Sequence, residues 1–96
     1  MKKVHWLIIY DIKDSRRLGR VARVMVKYAT RVQKSVFEMH ANSATILELR
    51  RRLIKIIDNN EDYVIYFKLC EADWQSRLKY GLGRKNEVDD SELIIF

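Results

Sequence analysis

Asp11 closes an apolar run, Val4-His5-Trp6-Leu7-Ile8-Ile9-Tyr10, in which six of the seven residues are apolar or aromatic. Such a run is short for a helix and typical of a strand that is buried or half buried. A carboxylate on a strand end is held by a rigid element and still reaches solvent, a placement that suits a metal ligand or a general base. The same place suits an aspartate that merely forms the turn after a strand. Arg16, Arg17 and Arg20 follow closely, and Arg31 opens the next extended segment. Guanidinium groups near such a carboxylate can hold phosphates and stabilise charge that develops on them. Other chemistries find less support. His5 and His40 have no companion at metal-ligand spacing and read as structural or surface residues. Ser35 has no base beside it, and the single cysteine, Cys70, excludes both an internal disulfide and a C-x-x-C zinc pattern.

The chain that must position these residues has 96 of them, enough for one domain. We expect a single domain over 1–96, with its core in 1–80 and a loop plus a terminal strand in 81–96. No proline and three glycines imply mostly regular structure with short connections. The lone cysteine fits a reducing cytoplasm. The apolar run near the start breaks at Asp11 with no small-residue cleavage site after it, so it does not read as a signal peptide, and nothing approaches the length of a membrane span. Charge is unevenly placed. Residues 1–60 carry 14 Lys+Arg and 5 Asp+Glu, or +9; residues 61–96 carry 5 and 8, or −3. A basic body points to a polyanionic partner, nucleic acid first.

Strand one is expected over Val4–Tyr10. Asp14 or Ser15 caps a helix over about residues 15–29. Leu18, Val21, Ala22, Met25 and Ala29 form its buried stripe, and Arg16, Arg20, Arg23 and Lys27 form a second stripe at 0, +4, +7 and +11. Like charges at that spacing repel. No acidic residue between 15 and 37 offsets them, which favours a phosphate-facing role. A second strand is expected as one piece, Arg31–His40. A second helix follows Ala41-Asn42, with Thr45 as the cap of a Thr45–Glu48 capping box and Ser43 as the competitor. Ile46, Leu49, Leu53, Ile56 and Ile57 make its apolar stripe, and Asp58-Asn59-Asn60-Glu61-Asp62 ends it. A third strand is expected over Tyr63–Cys70. One or two helical turns follow over 72–80 with Trp74 and Leu78 paired, and Leu93–Phe96 reads as a strand.

Strands alternating with two helices of this length point to an α+β, ferredoxin-like β-α-β-β-α-β sandwich with an antiparallel sheet and both helices on one face. The strands are apolar on both faces, so the uncovered face would expose apolar and aromatic groups to water. A homodimer that stacks sheet on sheet relieves this. It would also bring two copies of Asp11 near a two-fold axis. One carboxylate is a poor Mg²⁺ site, whereas two can share an ion.

The chain resembles the Cas2 family of CRISPR systems, the small subunit of the spacer-acquisition machinery. Tyr10-Asp11-Ile12 with Asp14 and Arg16-Arg17 is similar to the family's strand-to-helix junction. Arg31-Val32-Gln33-Lys34-Ser35-Val36-Phe37-Glu38 is similar to its second-strand signature, the more specific piece. The resemblance covers residues 4–70 well and 71–96 loosely. It implies a ferredoxin-like homodimer in which the terminal strand, Leu93–Phe96, crosses to the partner's sheet. It implies Mg²⁺ shared by Asp11 of both subunits, with Asp11 as the catalytic residue of a metal-dependent endonuclease acting on RNA or double-stranded DNA in some members. It implies Tyr10, Arg16, Arg17, Arg31 and Phe37 as companions of Asp11. It also implies a complex with the Cas1 integrase, in which the dimer supports protospacer DNA and the aspartate is not generally required for integration.

Three readings compete with nuclease action: a non-catalytic DNA-bridging scaffold resting on the Arg16–Arg20 stripe, a toxin-like ribonuclease of the same fold, and a single-strand RNA binder. The last lacks the glycine-containing RNA-binding signature in Tyr63–Cys70.

Overall fold

The computed structural model describes residues 2–76. The order is β1 (Val4–Asp11), α1 (Ser15–Tyr28), β2 (Thr30–Gln33), β3 (Val36–Ala41), α2 (Ser43–Ile54), β4 (Tyr63–Leu69) and a short α3 (Glu71–Ser76). The sheet runs β2-β3-β1-β4, and every neighbouring pair is antiparallel. This is the expected ferredoxin-like layout. β1, the most apolar strand, takes a central place, because a strand apolar on both faces needs neighbours on both edges and cover on both sides.

The extended segment expected as one strand is a hairpin. Lys34 and Ser35 turn the chain, and the β2–β3 register slips between Arg31 and Gln33. Of the two turn residues only Ser35 is a turn former, and a lone serine inside an extended run is a weak local warning. The turn is held from outside: the Tyr10 amide donates to the Ser35 carbonyl at 3.2 Å. Splitting the segment also breaks the side-chain alternation that one continuous strand would have imposed from Arg31 to His40. Phe37 and Met39 lie in the core, and Arg31 pairs with Phe37 across the hairpin.

Both long helices are capped by side chains. The Asp14 carboxylate accepts from the Arg17 amide at 3.0 Å. For α2 the cap is Asn42, which accepts from the Thr45 amide at 2.9 Å and the Thr45 hydroxyl at 3.1 Å. Thr45 therefore stands inside the helix as the partner of the cap, and Ser43 is the first helical residue. Asn42 stands before both because its extended backbone lets the short side-chain amide oxygen reach the Thr45 N–H ahead of it.

The core lies between the sheet and the helices. Ile8 and Tyr10 from β1, Phe37 and Met39 from β3, Val21 and Met25 from α1, and Ile46, Leu49 and Leu53 from α2 form one cluster. Burial of each large side chain contributes roughly 1.5–3 kcal/mol. The opposite face carries Leu7, Ile9 and Asp11 of β1 beside Phe67, Ile65 and Tyr63 of β4. One end of that face is covered. His5 stacks between His40, at 4.3 Å, and Trp74 of α3, at 4.1 Å, and its Nε2 donates to the Glu71 carboxylate at 3.3 Å. The other end is open: Tyr63 is 48% exposed and Ile65 40%. The sequence reading left this whole face bare; α3 closes half of it. The paired Trp74–Leu78 contact and the terminal strand Leu93–Phe96 fall, in whole or in part, outside the described residues.

Candidate functional site

The junction from β1 to α1 is built around two carboxylates. Asp11 is the last residue of β1, opposite Tyr63 on β4. Its neighbour Tyr10 points into the core, so strand alternation sends Asp11 to the face away from the helices. Its side chain is 42% exposed and accepts from Lys13 Nζ at 2.8 Å. That pairing raises the Lys13 ammonium pKa above its ordinary value.

Asp62, one residue before β4, is the opposite case. Its side chain is fully buried. It accepts from the Lys13 amide at 2.9 Å, from Arg17 Nε at 2.7 Å and Nη2 at 3.2 Å, and from the Asp58 amide at 2.8 Å. Arg17 Nη2 also reaches Glu61 at 3.0 Å. The Arg17 guanidinium and two amide donors hold the Asp62 carboxyl far below the usual carboxylate range, against the opposing effect of burial. Asp62 thus ties three segments together: the loop after Asp11, the first turn of α1, and the turn before β4.

The companions implied by the sequence fall into separate groups. Arg31, Phe37 and Tyr10 form a stack on the helical side of the sheet. The Arg31 guanidinium sits 5.1 Å from the Phe37 ring centroid, and Phe37 lies 5.9 Å from Tyr10. Tyr10 is buried, and its hydroxyl has no hydrogen-bond partner among the described residues, so the ring serves packing. The stack fixes the strand that carries Asp11 without pointing at Asp11. Arg16 and Arg20 are exposed on α1 and make no ion pair among the described residues. Arg17 is largely occupied by Asp62 and Glu61. Sequence reasoning missed Asp62: an aspartate in an acidic turn carries no sign of a partner 45 residues away.

Asp11 alone is a sparse metal site. Among the described residues no group of three or more His, Cys, Asp or Glu side chains could hold an ion. What it offers is a rigid, accessible, singly paired carboxylate beside an exposed apolar patch. No helix among the described residues is long and apolar enough to cross a membrane.

Fold and junction define a ferredoxin-like α+β protein with an acid on the end of its central strand and a cationic helix after it. Residues 4–77 match the family model of the CRISPR associated protein Cas2. The chain belongs to that family. It is 36% identical over 81 residues to the CRISPR-associated endoribonuclease Cas2 3 of Chloroflexus aurantiacus, covering 84% of this chain and 87% of the relative. The crystal structure of Streptococcus pyogenes Cas2 matches with a TM-score of 0.66 at 35% identity, over 76% of this chain and 93% of that one. A chain of a partial Cas6-RT-Cas1–Cas2 complex matches with a TM-score of 0.67 at 26% identity, over 76% of this chain and 79% of its own.

Proposed function

We propose that this protein is a nucleic-acid-binding adaptation protein that works as a homodimer with the Cas1 integrase, and that it carries a metal-dependent endonuclease centre at Asp11. The observation that carries the nuclease reading is the state of Asp11: an exposed carboxylate on a rigid strand end, held by one lysine. The half-open apolar face beside it, with Ile9, Ile65 and Tyr63, is the surface a second copy would cover. Packing two such faces brings two Asp11 carboxylates to one place, which meets the need of Mg²⁺ for one or two carboxylates plus waters and phosphate oxygens. When bound there, Mg²⁺ supplies polarisation of a phosphodiester and an activated water.

The chain's own residues do the rest. Arg16, in the first turn of α1, holds the backbone of the bound strand, and Arg20, further along the helix, adds a nucleic-acid contact away from Asp11. Arg17, with Nε and Nη2 committed, keeps Nη1 for a phosphate and mainly holds the loop after Asp11. Arg31, Phe37 and Tyr10 fix the strand. The endoribonuclease name of the relative supports RNA as a substrate, and duplex DNA is the alternative. The match to a chain of a complex that includes Cas1 supports that partner.

The decisive comparison is cleavage of RNA and duplex DNA with Mg²⁺ by the wild type and by Asp11→Asn. Loss of cleavage in the variant is expected; equal activity sinks the nuclease assignment. A second reading is favoured by Arg16 and Arg20, which make no ion pair among the described residues: a scaffold that binds duplex DNA without cutting it. It expects binding that weakens steeply with salt and is indifferent to Asp11→Asn.

A further inference from the structure

A cleft of about 700 Å³ opens between α1 and α2, on the helical side of the sheet. Five cations line it: Arg20, Arg23 and Lys27 from α1, and Arg52 and Lys55 from the end of α2. No carboxylate lines it, and none of the five makes an ion pair among the described residues. This differs from the junction, where Arg17 is matched by two acids. Five like charges around one cleft repel one another, so the fold gains nothing from gathering them. They are nonetheless placed. Arg52 Nη1 donates to the Tyr28 hydroxyl at 3.0 Å, and the guanidinium lies 5.5 Å from that ring. The Arg23 guanidinium folds back over Gly19, where a Cβ would meet its Nη1 at 3.5 Å.

We propose that the α1–α2 cleft is a second nucleic-acid-binding surface, one that takes the phosphodiester backbone on the side of the sheet opposite Asp11. The proposal rests on the nucleic-acid reading above. Arg20 and Lys27 are seven residues apart, about 10 Å along the helix. One strand of a duplex carries a phosphate every 3.4 Å or so along its axis, so the row matches about three phosphates. Three arginines suit phosphate forks. Among the described residues no aromatic ring lines the cleft to stack a base, and Arg52 covers Tyr28, so binding here is sequence-independent. The sheet separates the cleft from Asp11, so a backbone held here is held out of reach of that carboxylate.

The test uses the full chain and fluorescence anisotropy over a range of salt, with a DNA duplex, an RNA duplex and a single strand of one length as probes. The wild type is compared with Lys27→Gln/Lys55→Gln, with the independent pair Arg23→Gln/Lys55→Gln, and with Lys2→Gln/Lys3→Gln. The last removes equal charge at exposed positions outside the cleft. For any probe that the wild type binds, each cleft pair is expected to lower the slope of log affinity against log salt, by about 1.8 for the DNA duplex and about 1.4 for the single strand, and to weaken binding roughly tenfold or more at low salt. Thermal melting checks that each variant is folded, and one folded cleft pair suffices. Cleft pairs that behave like Lys2→Gln/Lys3→Gln overturn the cleft while leaving nucleic-acid binding in place. A wild type that binds none of the three probes overturns the nucleic-acid reading itself.

Discussion

Asp11 and Asp62 flank the same loop and have opposite fates. Asp62 is buried and saturated, with donors from Lys13, Arg17 and Asp58. Asp11 is exposed and meets one lysine. A carboxylate whose lone pairs are filled by its own protein is a poor metal ligand and takes a proton only in stronger acid than an open one does. The contrast separates a carboxylate that builds the junction from one left available for chemistry. It also explains why Arg17, beside Arg16 in sequence, plays a different part: Arg17 turns inward to neutralise Asp62, and Arg16 stays in solvent.

The contrast can be broken in four ways, taken from the largest effect down. Asp11→Asn should reduce Mg²⁺-dependent cleavage to background while shifting unfolding free energy by no more than about 0.5 kcal/mol; denaturant titration beside a cleavage assay measures both. A large stability loss would show Asp11 to be structural after all. Asp62→Asn should do the reverse, costing about 2–3 kcal/mol because it strips a buried charge from Arg17 and leaves amide donors short of an acceptor.

The third concerns pH. The Asp62 carboxyl lies below its ordinary range when folded. Its contribution is therefore fully present above the unfolded value near 4 and is lost as pH falls through that value toward the folded one. Unfolding curves at pH 7, 5 and 3 should show the wild type losing stability into acid and Asp62→Asn losing less. Parallel curves would deny Asp62 its role. The smallest effect belongs to Lys13→Ala. Removing an exposed partner should raise the apparent Mg²⁺ affinity for cleavage by no more than about fivefold. A fall in affinity would mean that Lys13 positions Asp11 rather than competing for it.

Much of the layout was legible beforehand. The apolar run ending at Asp11, the α1 stripe through Val21 and Met25, the α2 stripe through Ile46, Leu49 and Leu53, and the Asp14 cap all stand where periodicity and capping rules put them. The Lys34-Ser35 turn was not legible, because a lone serine is a weak turn signal and the Tyr10 amide that meets the Ser35 carbonyl lies on another strand. Asn42 caps α2 where the capping-box pattern points to Thr45 or Ser43, both of which lie inside the helix. The half cover of the sheet by Trp74 depends on a ring stack with His5 that links residues at opposite ends of the described chain.

By itself the sequence determined the element order, the two-faced apolar strands and the placing of an acid at the end of the first of them. It also determined the cationic stripe of α1. These are local patterns, read over a few residues at periods of 2 and 3.6, and local sterics and burial enforce them. Tertiary structure alone decided which acid is filled and which is open, which arginine is neutralised, and where cations from two helices converge. Each of those outcomes depends on groups far apart in the chain, whose meeting is set by how the helices and strands pack.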